Sequence, residues 1–144
     1  MMYGNTQVAL KNSKADLEIR LALLLHDIGK PYSYQEDENG VRHFKGHPEK
    51  SAVMAEKILT RLEYDEKQIK SICYLVKNHD NIINVNQLNG INKKIFEKLL
   101  HIQYCDAYAH APEHIEKRIK KLDEIKSQMK EKIKNIEDTE KGER

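Results

Sequence analysis

These 144 residues fit an all-α bundle of about five to six helices, closed by a long amphipathic C-terminal helix. Apolar residues return every three or four positions in several separate stretches, as helices with one buried face require. Aromatics are sparse, and glycine and proline number only six and three, a balance that favours helices over a turn-rich β fold. The length suits one domain with one core that stands without disulfides. That domain is expected over residues 1–136, with the last helix at about 112–136 and a disordered tail over 137–144.

Taken in chain order, the first dozen residues are weakly patterned, and Thr6 to Leu10 fit the end of a helix. Lys14 to Asp27 read as a helix, with Leu17, Leu21, Leu24, Leu25 and Ile28 at helical spacing and Gly29 and Pro31 as its stop. Tyr32 to Gly46 form a long polar loop in which Asn39-Gly40 marks a turn and Val41 to Phe44 alternate as in a short hairpin. Pro48 to Leu62 return to helix, with a stripe of Ala55, Ile58, Leu59 and Leu62. Asp65 opens the next helix in a capping-box-like arrangement with Gln68. Ile69, Ile72, Cys73 and Val76 are its apolar face, which His79 continues. After an Asn-rich loop from Asn81 to Gly90, Asn92 caps a helix reaching about His110, with Ile95, Leu99 and Ile102 inward. Pro112 begins the last helix, whose stripe is Ile115, Ile119, Leu122, Ile125, Met129, Ile133 and Ile136. Such a stripe packs on its own domain or joins two copies of the chain.

Charged residues make up 33% of the chain, yet the net charge is only +2, which argues for a soluble protein rather than a strongly basic nucleic-acid binder. Lys117, Arg118, Lys120, Lys121 and Lys126 form a modest basic cluster that also fits a solvated helix face. Cys73 and Cys105 lack CxxC spacing and read as reduced, packed thiols, in keeping with a cytoplasmic location. The longest apolar stretch, Leu21 to Leu25, is too short for a bilayer, and no signal peptide or membrane partner is expected.

The chemistry concentrates at Leu21-Ala-Leu-Leu-Leu-His-Asp-Ile-Gly-Lys-Pro31. Burying an imidazole and a carboxylate at the end of an apolar helix is costly unless something pairs with them, and a divalent metal is an economical partner. His47, the His79-Asp80 pair and Asp106 supply further groups of that kind. Asp106 lies seven residues after Leu99 on a buried stripe, where a carboxylate needs a cation, a donor set or a metal.

With Phe44-Lys-Gly-His-Pro-Glu-Lys-Ser-Ala52, Leu75-Val-Lys-Asn-His-Asp80 and Asp106 following in that order, the chain resembles the HD-domain superfamily of metal-dependent phosphohydrolases. It is most similar to the HD domain associated with tRNA nucleotidyltransferases and poly(A) polymerases. The resemblance implies that His26, Asp27 and Asp106 hold a divalent metal. It places His47 and His79, with Asp80 beside them, where members hold a second metal or contact the substrate phosphate. Lys30 matches a phosphate-facing lysine. The family's first histidine is replaced here by Asn5, an amide donor better suited to hard cations. The strand-borne Gly-Ser and paired carboxylates of a nucleotidyltransferase head are not found in this sequence.

Mixed imidazole and carboxylate ligands suit a catalytic metal, with magnesium, manganese, nickel, cobalt, iron and zinc all open. The implied reaction is hydrolysis of a phosphomonoester or phosphodiester, on a phosphorylated small molecule, a nucleotide or an RNA end. Asp27 would orient or deprotonate water, His47 and His79 would neutralise or protonate phosphate oxygens, and Lys30 would act as a point charge. The alternative is a catalytically impaired HD module that binds nucleotide or RNA or mediates oligomerisation, a reading motivated by Asn5. The remaining histidines, His43, His101, His110 and His114, are assigned to the surface.

Overall fold

The computed structural model describes residues 16–142, so Asn5 and the segment from Thr6 to Leu10 lie outside the described residues. Five α-helices run through that range: α1 Leu17–Leu25, α2 His47–Arg61, α3 Glu66–Asn78, α4 Lys93–Tyr108 and α5 Pro112–Gly142. Short 3-10 turns at Lys30–Tyr32 and Val85–Gln87 and one two-stranded hairpin complete it. The all-α architecture is as the sequence predicts. The hairpin pairs β1 Gln35–Glu36 with β2 Arg42–His43 around the expected turn. Gly40 takes a left-handed φ of 76° there, and Asp37 Oδ1 accepts from the backbone N–H groups of Asn39 and Val41.

Helix starts follow local chemistry. Asp16 Oδ1 accepts from Ile19 N at 3.0 Å and begins α1, and Asp65 Oδ1 accepts from Gln68 N at 2.8 Å and begins α3. α2 ends in a Schellman turn, with Tyr64 N bonding Leu59 O, Glu63 N bonding Thr60 O, and Glu63 held at a left-handed φ of 65°.

α3 packs on α1 and α2, and α4 packs on α1, α3 and α5. The core holds Leu23, Ala55, Leu59, Leu75, Val76 and Ile102, all without exposed surface. Each such leucine or isoleucine is worth about 1.5–3 kcal/mol relative to exposure.

Four expectations change. α1 buries Ile19, Ala22, Leu23 and Leu25, while Leu17 and Leu24 are half exposed. The helix is apolar around nearly its whole circumference, so spacing alone does not select a face; its packing partners do. α1 also stops at Leu25 rather than Asp27, with His26 at its C-cap. Leu62, expected on the α2 stripe, is exposed because it caps that helix. The last helix does not end near Ile136: residues 137–142 are helical. Glu137 pairs with Lys93 at 3.8 Å, and Ile136 and Glu140 lie against Gly90, so this turn has partners.

The α5 stripe packs on its own domain. Leu122 and Met129 are buried, and Ile119, Ile125 and Ile133 line the same core. Cys73 and Cys105 are both free, as expected, and burial pushes the Cys105 thiol up to about 11. Among the described residues no helix is long and apolar enough to cross a membrane.

Candidate metal centre

Three helix C-termini and one helix N-terminus converge at a single point. α1 delivers His26 and Asp27 just past its last turn, α3 delivers His79 and Asp80, and α4 delivers Asp106 from its last turn. α2 begins with His47. The C-terminal dipoles leave partial negative charge there, which favours a cation. Gly29 makes the convergence possible: a Cβ on it would lie 2.6 Å from Ser51 N and 2.9 Å from His47 O. Without a side chain it lets the first turn of α2 approach, and its N–H donates to Ser51 Oγ at 2.8 Å.

The imidazoles share one arrangement. The Nδ1–H of His26 donates to Leu23 O at 2.5 Å, that of His79 to Val76 O at 2.6 Å, and that of His47 to Phe44 O at 3.1 Å. Each bond reaches back three residues, and at α1 and α3 it satisfies a carbonyl of the last helical turn. Each therefore turns Nε2 inward. His26 Nε2 lies 3.2 Å from Asp27 Oδ2 and 3.5 Å from Asp106 Oδ1. His47 Nε2 lies 3.4 Å from Asp27 Oδ1 and 3.5 Å from Asp80 Oδ2, and His79 Nε2 lies 3.4 Å from Asp80 Oδ2. The Nε2 atoms of His26 and His47 are buried without a hydrogen-bond partner.

Buried lone pairs facing carboxylate oxygens repel unless a proton or a metal ion intervenes. Burial resists charge on His26, but the carboxylates of Asp106 and Asp27 outweigh it and raise its pKa to about 10. Burial likewise opposes ionisation of Asp27, yet the close approach of the His26 and His47 rings and the charge of Lys30 hold its carboxyl well below the usual range. Asp27 raises the pKa of His47, while burial lowers that of His79. Two overlapping groups have donor atoms all within 4.8 Å of one another and could hold a metal: His26, Asp27 and His79, and His47, His79 and Asp80. Imidazole Nε2 donors anchored through Nδ1–H to a backbone carbonyl are the arrangement that metal-binding histidines adopt.

A model of the HD domain matches residues 6–138. The chain belongs to the HD-domain family. That family falls within the metal-dependent phosphohydrolase superfamily. The A-adding tRNA nucleotidyltransferase of Deinococcus radiodurans is 40% identical over 74 residues, covering 51% of this chain and 17% of that protein. The CC-adding tRNA nucleotidyltransferase of Thermus thermophilus is 39% identical over 67 residues, covering 46% of this chain and 15% of that protein. The matched stretch is thus about a sixth of the length of either curated relative. No solved structure gives a significant match.

The HD-domain site gathers six of the residues singled out in the sequence, His26, Asp27, His47, His79, Asp80 and Asp106, and sets Lys30 Nζ 3.6 Å from Asp27 Oδ2. A cavity of about 290 Å³ opens onto Asp27, Lys30, His47, His79, Asp80 and Asp106, and its wall also includes His110 and Arg118. Motif reading left those two out. His110 follows Asp106 by one helical turn, and its Nδ1–H donates to Asp106 O at 2.8 Å, a spacing that could have drawn attention to it. Arg118 arrives from a helix across a chain reversal, which no local pattern reports. With neutral imidazoles, three carboxylates here face two permanent cations, Lys30 and Arg118. Of the other histidines, His43 pairs with Asp37 at 2.9 Å, away from the site.

Proposed function

We propose that this HD-domain chain is a metal-dependent phosphohydrolase that hydrolyses a phosphomonoester or phosphodiester of a nucleotide or RNA end. The observation that carries the reading is the pair of buried, unpartnered Nε2 atoms on His26 and His47 aimed at Asp27. The tRNA nucleotidyltransferase names of the relatives support an RNA or nucleotide substrate. His26, Asp27, Asp106 and His79 would hold one divalent ion, and His47 and Asp80 with His79 extend the donor set. A bound cation supplies Lewis acidity, which brings water toward ionisation at neutral pH and polarises a phosphoryl oxygen.

The chain's own groups do the rest. Asp27, held ionised, orients the attacking water and takes its proton. Lys30 and Arg118 place fixed positive charge where the transferring phosphoryl group accumulates negative charge. With no second ion on its Nε2, His47, which Asp27 holds toward its protonated form, gives that proton to the leaving oxygen. The test is turnover of an aryl phosphomonoester, an aryl phosphodiester and cyclic nucleotides by the manganese-loaded chain. Asp27→Asn is expected to lower the rate at least 100-fold. A metal-loaded protein that hydrolyses none of them overturns the proposal.

A second reading rests on Asn5 in place of the first imidazole: a module that keeps the HD fold and binds nucleotide or RNA without turnover. Calorimetry separates the two readings, since micromolar manganese affinity argues against a metal-free module.

A further inference from the structure

The metal cavity adjoins a larger groove of about 740 Å³ that shares His79, Asp80, Asp106 and Arg118 with it and is lined further by α5. His114, Lys117, Arg118 and Lys121 line this groove at positions i, i+3, i+4 and i+7 of one helical face. At about 1.5 Å per residue the stripe extends roughly 10 Å. Beyond the metal cavity the lining holds two permanent cations, Lys117 and Lys121, against one carboxylate, Glu124. Among the described residues neither of these lysines, nor Arg118 between them, is paired with a carboxylate. Other basic groups of α5 are occupied: Lys126 lies over the Tyr104 ring and Lys132 donates to Asn86 O. Ile82, 90% exposed, and Ile125 give the same groove an apolar side.

Unpaired cations beside an exposed apolar side chain fit a ligand with phosphates on one edge and flat, weakly polar rings on the other. A single-stranded nucleic acid has that chemistry, since every base offers a face for packing while its backbone follows a positive groove. The modest net charge of +2 argues against binding long duplexes and for a short strand end.

We infer that the α5 groove is a strand subsite, in which Lys117 and Lys121, beyond Arg118 at the scissile phosphate, hold the phosphates that follow it in a single-stranded oligonucleotide. The inference rests on the phosphoester reading of the adjoining cavity and names its substrate class. A strand, unlike a mononucleotide, reaches past Arg118 to Lys121.

The experiment measures binding of a fluorescein-labelled single-stranded RNA tetramer to the full chain by anisotropy across a salt series. Lys117→Ala/Lys121→Ala is expected to weaken binding at least tenfold and to reduce the slope of log affinity against log salt by about 1.4, for two lost phosphate contacts. Lys117→Arg/Lys121→Arg should stay within threefold of the parent, as should Lys120→Ala/Lys130→Ala, which removes equal charge outside the groove. Equal losses in the two alanine pairs, or unchanged affinity in the first, overturn the subsite. So does ATP competing as well as unlabelled tetramer, which would assign the groove to a polyphosphate. Manganese uptake by the same preparations separates the two claims. Uptake without lysine-dependent RNA binding removes the groove alone. Lysine-dependent binding without uptake removes the hydrolase reading and leaves the groove standing.

Discussion

His26 is the residue on which a proton and a metal ion compete. Its Nδ1–H is committed to Leu23 O, so both ligands must use Nε2. In the metal-free protein its pKa is about 10, against 6.5 for an ordinary histidine. The protonated form therefore contributes stability that is full below about pH 6.5 and is lost as pH rises through about 10. A metal ion binding at pH 7.5 must expel that proton. Calorimetric titration with manganese in two buffers of different ionisation enthalpy should report release of about one proton per chain, and affinity should fall about tenfold per pH unit on acidification below pH 7.5. Enthalpies independent of buffer would mean that His26 keeps its proton and is not a ligand. Asp27, whose carboxyl is held well below the usual range, stays ionised throughout and adds no proton of its own.

At the scale of elements, the clearest compromise is the end of α2. Glu63 adopts a left-handed backbone in the Schellman turn, where a side chain costs about 1–2 kcal/mol. Glycine avoids that cost but loses part of the gain to the entropy of the unfolded chain. Glu63→Gly should therefore raise stability by about 0.5–1 kcal/mol in urea unfolding, with manganese affinity unchanged because the turn lies at the opposite end of α2 from His47. The elements also show what sequence could and could not reveal. The start of α3 was legible because Asp65 announces it, and the hairpin because Asn39-Gly40 demands a tight reversal, whereas Asp16, the cap of α1, is hidden inside a helical pattern that begins at Lys14. The buried face of α1 was not, since leucines surround it. The final turns of α5 were not, since Glu137 looks solvated until Lys93 is placed beside it.

For the whole molecule, the site legible in sequence was the part carried by local motifs: His26-Asp27 with Gly29 and Lys30, His47, and His79-Asp80. Asp106 was legible because it continues a helical stripe and matches the distant aspartate that the family resemblance implies. His110 and Arg118 enter through tertiary assembly, where the α4–α5 reversal turns a basic face toward a carboxylate cluster. The donors span residues 26 to 106, so the unfolded chain has no comparable site and binding stabilises the fold. Manganese at 100 times its dissociation constant should add about 2.7 kcal/mol. For a domain of this size that raises Tm by roughly 5–10 °C in calorimetry or thermal circular dichroism, and a chelator should reverse it. No shift under saturating metal would remove the centre from the fold's energetics.

The carbonyl anchors on His26, His47 and His79 have one more consequence. Each ring is tethered to its own backbone rather than to the ion, so its aim survives when the ion departs. The empty bundle should behave as a pre-shaped receptacle, refilled by whichever suitable divalent ion the surroundings supply, without unwinding.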